Sequence, residues 1–159
     1  MPGHDPGISS EREKDCRVKP GNDDWNSTET MNRRHLSSAY QRSRSYSPAV
    51  VTEGGRAIWL AGHLAAEDED GRSLAGDFDG QVRCVFRKLA ATLAEADAAL
   101  ADIVTMTVFI TDVANNTRFV ELRREFFAAD AYPASTLVTV AALNRPELMV
   151  EINAIAVTG

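Results

Sequence analysis

The sequence is poor in cysteine, in positive charge and in long apolar runs, and each shortage removes a class of protein. Its two cysteines, Cys16 and Cys84, lie far apart in segments of different character. That is not the density of a disulfide framework, and it points to a reducing cytoplasm. The 17 basic side chains are outnumbered by 23 acidic ones, for a net charge of −6. Every phosphate contact needs a cation on the protein side, so nucleic acid is not an expected partner. The longest uncharged stretch, Ala131–Asn144, is 14 residues and contains Pro133. A spanning helix needs ~20 apolar residues, so no membrane partner is expected either.

Motifs are scarce as well. There is no G-x-G-x-x-G, no Walker loop, no H-E-x-x-H and no G-x-S-x-G. No period of ~20–50 residues repeats, which excludes a solenoid. At ~100–200 residues per domain, 159 residues allow one.

Composition divides the chain near residue 45. Residues 1–44 hold only nine apolar side chains among Pro, Gly, Ser, Asn and Asp. Such a stretch buries too little surface to offset its ordering entropy and reads as a disordered extension. It carries 8 basic and 7 acidic residues, which leaves residues 45–159 with 9 and 16, a net of −7. Met31 offers an alternative start, and Arg17–Trp25 resembles a translated intergenic repeat of some bacterial genomes. No apolar run follows the basic residues, so a secretory signal is not expected, and the acids before Thr30 argue against a transit peptide.

From residue 45 the pattern is regular. Tyr46–Val51 and Ala57–Ala61 flank Gly54-Gly55 and read as a hairpin. Val82, Val85, Phe86, Leu89 and Leu93 recur at helical spacing and predict an amphipathic helix from Asp79 to about Asp97. Ile103–Ile110 alternates threonine with apolar residues and suits a strand half covered by that helix. A second helix is expected over Thr117–Ala129, followed by strands at Thr136–Val140 and Met149–Val157. This order implies one mixed sheet with two helices on one face, an α+β fold.

Few residues offer chemistry. Asp68, Asp70 and Gly71 imitate a calcium loop whose first position would be Ala66, so a surface turn is the better reading. His63 is the only histidine after residue 45. One imidazole without neighbouring Cys or carboxylate ligands gives no metal site. Cys84 reads as a core or groove thiol, with no histidine near it in sequence to lower its pKa. Asp112 reads as a turn or capping acid. Glu151 differs, because it stands in an apolar terminal strand between Val150 and Ile152. If its face is open it is merely solvated; if the face lines a subunit groove, it is a desolvated carboxylate fit to relay protons.

Six blocks taken together resemble a known family: Tyr46–Val50, Ile58–His63, Thr107–Asp112, Tyr132–Ala134, Val138–Leu143 and Val150–Ala156. They are similar to the RidA family, also called YjgF or endoribonuclease L-PSP, over about residues 46–157. The resemblance implies a chorismate-mutase-like fold, a homotrimer and a small-metabolite site in each groove between subunits. It implies hydrolysis of reactive enamines and imines such as 2-aminoacrylate, with no cofactor. The family's water-positioning acid matches Glu151, and its substrate-contacting tyrosine matches Tyr46. The usual S-G-Q is Ala61-Gly62-His63, and Phe109 keeps the aromatic wall. Where active members read P-A-R-S or P-A-R-T, this chain reads Pro133-Ala134-Ser135-Thr136. Ser135 thus replaces the arginine that clamps the substrate carboxylate, and two residues on, Leu137 adds apolar volume. The expected groove is more apolar and less cationic than the family's, and a non-catalytic ligand-binding trimer is the rival reading. Ribonuclease activity, suggested by the family's older name, is disfavoured by the net charge of −7 and the single histidine of residues 45–159.

Overall fold

A computed structural model describes residues 31–159. The elements are β1 (Asn32–Leu36), α1 (Ala39–Ser43), β2 (Ala49–Glu53), β3 (Arg56–His63), α2 (Phe78–Ala94), β4 (Ile103–Ile110), α3 (Asn116–Arg123), β5 (Ala134–Thr139) and β6 (Val150–Thr158). Four strands form a mixed sheet in the order β3-β6-β4-β5, with β4 and β5 parallel and the other neighbours antiparallel. The fold is α+β, as the order of elements implies.

Helix α2 begins where Asp77 accepts a hydrogen bond from the Gly80 amide at 2.9 Å, filling one orphan donor of the first turn. Its buried stripe, Phe78, Val82, Val85, Phe86, Leu89 and Leu93, packs on one sheet face against Met106, Val108, Ile152 and Ala154. The fully buried Gln81 ties this helix to the approach to β6. Its amide nitrogen donates to the Leu74 and Glu147 carbonyls at 3.0 and 2.8 Å, and its oxygen accepts from the Met149 amide at 2.8 Å. The second helix is shorter than its sequence pattern suggests. After Arg123 the backbone amides bond three residues back instead of four, from Arg124 to Phe126. That tighter winding delivers Phe126 and Phe127 to Phe86, with ring centroids 4.3 and 5.8 Å apart.

Two expectations need correction. Residues 32–44 are not an unstructured extension, since β1 pairs antiparallel with β2 from Asn32↔Glu53 to Leu36↔Ala49, and α1 follows. The apolar content of this segment is low because its contacts are mostly polar: Arg33 Nη2 meets Asp102 at 3.2 Å, and the His35 ring bonds the Tyr132 carbonyl at 2.9 Å. Residues 1–30 lie outside the described residues. Nor do β2 and β3 form a hairpin, because β2 pairs with β1 while β3 pairs with β6. Gly54 and Gly55, at φ of 70° and 84°, turn the chain in a conformation that favours glycine. Gly55 also lies so close to the end of β6 that a Cβ would stand 2.7 Å from the Thr158 carbonyl oxygen. The small β1–β2 sheet instead meets the edge of β5 through a bridge between Ser47 and Ala134.

Candidate functional site

The alternation of each strand sorts the expected site residues into two groups. In β6, Val150, Ile152, Ala154 and Ala156 are buried under the helices, so Glu151, Asn153 and Ile155 face the open side. Phe109 is the register partner of Glu151, and Thr107 that of Asn153, so both belong to the same side. Strand β3 adds Gly62 through a bulge between Leu60 and His63. A Cβ on Gly62 would lie 1.9 Å from Glu151 Oε1, which places the carboxylate directly against the backbone of the bulge. Glu151 is half-buried, and among the described residues no cation stands within ion-pair distance of it. Ala61 is exposed beside it, and its carbonyl oxygen accepts from His63 Nδ1 at 2.9 Å. A carbonyl only accepts, so Nδ1 carries the proton. Nε2, 3.0 Å from the Thr92 hydroxyl, is tied to α2.

The second group lies on the other side of the sheet, at its β5 edge. Ser135 and Leu137 pair with the buried Met106 and Val108, and their side chains point towards α3. Thr136 pairs with Thr107 and belongs to the open face, separated from its two neighbours. Tyr46, Ser135 and Leu137 line one cavity of about 130 Å3 with Arg44, Asn116, Val120 and Arg123. Glu151, Gly62 and Phe109 do not line it. Within one chain, then, the acid and the residues around Ser135 are on opposite faces.

Arg123, in α3, is not among the residues expected at the site. It is 2% exposed. Nε donates to Ser45 Oγ at 3.1 Å, Nη1 to Ser135 Oγ at 2.5 Å and Nη2 to the Arg44 carbonyl at 2.9 Å. The guanidinium carbon lies 5.3 Å from the Phe119 ring centroid. Burial lowers its pKa to about 10, with the charge of Arg44 acting in the same direction, so the group stays protonated at neutral pH. A guanidinium therefore stands beside Ser135 within the chain. The sequence signal was available, since Phe119 and Arg123 are four residues apart and share a helix face.

Residues read as structural occupy structural places. Cys84 is fully buried and its thiol donates to the Glu67 carbonyl at 3.6 Å. Asp68 organises a surface turn by accepting from the Asp70 and Arg72 amides at 3.0 and 2.9 Å, and these bonds, chiefly that from Arg72, hold its carboxyl below the usual range. Asp112 accepts from the Ala114 amide at 2.9 Å.

The model of the family described as endoribonuclease L-PSP matches residues 36–158. The chain belongs to the RidA/YjgF family. A RutC family protein of Pyrococcus abyssi is 32% identical over 111 residues, covering 70% of this chain and 84% of its own length. The protein DfrA of Myxococcus xanthus is 32% identical over 124 residues, 78% of this chain and 93% of its own. Among solved structures, the Rid family protein YyfB of Yersinia pestis superposes with a TM-score of 0.71 at 27% identity, covering 80% of this chain and 99% of that one. A YjgF/YER057c/UK114 family member of Mycobacterium tuberculosis gives 0.57 at 29% identity, over 80% and 100%. RidA/YjgF membership supports a small-metabolite protein. Among the described residues, no helix is long and apolar enough to cross a membrane.

Proposed function

We propose that this protein is a trimeric enamine or imine deaminase in which Glu151 guides the attacking water. The observation that carries the reading is the carboxylate seated against Gly62, half-buried and free of any cationic partner among the described residues. In the reaction, a water oxygen bonds to the imine carbon while Glu151 takes one of its protons. That proton passes to the nitrogen, which takes the C=N π pair, and gives a carbinolamine; the hydroxyl proton then moves through Glu151 to the amino nitrogen as the C–N bond breaks and the C=O bond forms, and ammonia leaves, an enamine entering the same path after protonation at its β-carbon. Gly62 supplies close backbone approach and Phe109 an apolar wall.

The separation of Glu151 from Tyr46, Ser135 and Leu137 supports a site shared between copies, each giving the open face of one chain to the β5 edge of the next. Trp59, 76% exposed on the open side beside its register partner Ile155, is the kind of apolar surface that association covers. Light scattering at micromolar concentration is expected to report three subunits. Carbonyl release from a coupled imine-generating enzyme is expected to exceed the buffer rate, and Glu151→Gln to abolish the excess, because an amide keeps the shape and cannot take a proton. A trimer with no rate above buffer would favour the non-catalytic ligand-binding reading, which rests on Ser135 standing where active members carry arginine.

A further inference from the structure

The Glu151 carboxylate is held by contact and not by bonds. Among the described residues no hydrogen bond or ion pair reaches it, and its oxygen lies against the Gly62 backbone. A group placed by contact follows whatever it touches, so the position of Gly62 decides where the carboxylate stands. Gly62 is itself weakly tied. Strand β3 ends the order β3-β6-β4-β5 and has β6 as its one neighbour in that sheet. Along their ladder Leu60 pairs with Ala154 and His63 with Ile152, which leaves Ala61 and Gly62 facing Asn153 alone. Two residues against one is a bulge, and its extra residue is left without a ladder partner.

We infer that His63, tethered to Thr92, is the positioning residue that keeps this bulge against the Glu151 carboxylate. Ile152 is buried under the helices, and the register puts its partner His63 on that same side of the sheet. Side chains of a strand alternate, so an uninterrupted count from the buried Leu60 would turn residue 63 to the open face. The extra residue reverses this. The imidazole thereby reaches α2, where Nε2 lies 3.0 Å from the Thr92 hydroxyl. That bond is possible only in the bulged register. Nδ1 meanwhile donates to the Ala61 carbonyl at 2.9 Å, a group inside the bulge. A rigid ring that donates at one nitrogen and accepts at the other thus joins the bulge backbone to the helix.

Thr92 is exposed on α2, and that helix covers the sheet face opposite Glu151. Its hydroxyl therefore acts on the carboxylate only through His63 and Gly62. The effect on rate rests on the reading of Glu151 as the group that guides water, whereas the coupling of Thr92 to the carboxylate is read without turnover.

The test uses the full chain labelled with carbon-13 at the glutamate carboxyl groups, the Glu151 resonance being the one lost in Glu151→Gln, together with the coupled imine assay. Thr92→Val removes the hydroxyl and keeps the shape, Thr92→Ser keeps the hydroxyl, and His63→Leu removes both bonds. At pH 7 the Glu151 resonance is expected to move in Thr92→Val and in His63→Leu, and to hold its parental position in Thr92→Ser. In the first two kcat is expected to fall roughly tenfold with KM within about twofold, since the carboxylate shifts by less than the ~1 Å that costs on the order of 100-fold. Thr92→Ser is expected to keep the parental kcat. Should His63→Leu not fold, Thr92→Val decides, because its side chain is exposed. A tether that served stability alone would lower the unfolding midpoint of Thr92→Val and leave the resonance in place, and that result would overturn the inference. So would an equal movement in Thr92→Ser, or a moved resonance with kcat unchanged. A resonance that moves in Thr92→Val and returns in Thr92→Ser, in a protein whose parent releases no carbonyl above buffer, would support the positioning and refute the catalytic reading of Glu151 instead.

Discussion

Gly62→Ala separates the position of the Glu151 carboxylate from the integrity of the fold. The added methyl carbon would stand 1.9 Å from Oε1, 2.8 Å from Cδ and 3.1 Å from Cγ of Glu151. Ordinary contact is ~3.5–4.0 Å, so the carboxylate must withdraw by more than ~1 Å. Gly62 has no positive φ, so alanine adds no backbone strain, and the obstacle is the far end of a flexible side chain. Moving that side chain off its preferred rotamer costs about 0.5–1.5 kcal/mol. Thermal unfolding of the variant is therefore expected only a few degrees below the parent. A displacement of ~1 Å at a reacting group costs on the order of 100-fold in rate. Carbonyl release from the coupled imine assay is expected to fall by about that factor, with the oligomeric state unchanged. A variant that keeps the parental rate would refute the placement of Glu151 as the group that guides water. One that unfolds would show that the bulge itself, and not the carboxylate, requires glycine.

Two other expectations follow from the packing. Starting the chain at Met31 is expected to leave the unfolding midpoint unchanged, whereas starting at Ser45 is expected to lower it markedly, because β1, its ladder with β2 and the Arg33–Asp102 pair are lost; differential scanning calorimetry of the two truncations decides it. Acid is expected to destabilise the fold below pH about 4.5, since the Arg87 guanidinium holds the Glu69 carboxyl at about 2 and Arg118 and Arg83 hold Asp79 and Glu125 below their usual values. A carboxylate whose folded pKa is depressed contributes stability above its unfolded pKa and loses it as pH falls towards the folded value; unfolding midpoints that stay level from pH 5 to pH 2.5 would contradict this, and Arg87→Gln should flatten part of the fall.

The local pattern of the chain carried much of the architecture. The heptad-like stripe of α2, the alternation of β4 and the β-branched run of β6 are short-range signals, because helix and strand periods are written into consecutive residues. The α+β fold follows from their order. Glu151 was legible for the same reason: a carboxylate amid an apolar strand stands out against a period of two. Family resemblance added Tyr46, Gly62, Phe109 and the substitution at Ser135. What sequence could not decide was partnership. β2 pairs with β1 while β3 pairs with β6, and the turn between them lies against Thr158, a contact across more than 100 residues. The polar segment at 32–44 gains its order from the nearby β2 and from Tyr132 and Asp102, which are distant from it in the chain. Arg123 is the sharpest case. Three-dimensional packing brings Ser45 and Ser135 to its guanidinium from 78 residues before and 12 after. Local periodicity specifies which face a residue occupies, and only the meeting of distant segments specifies which atoms it finds there.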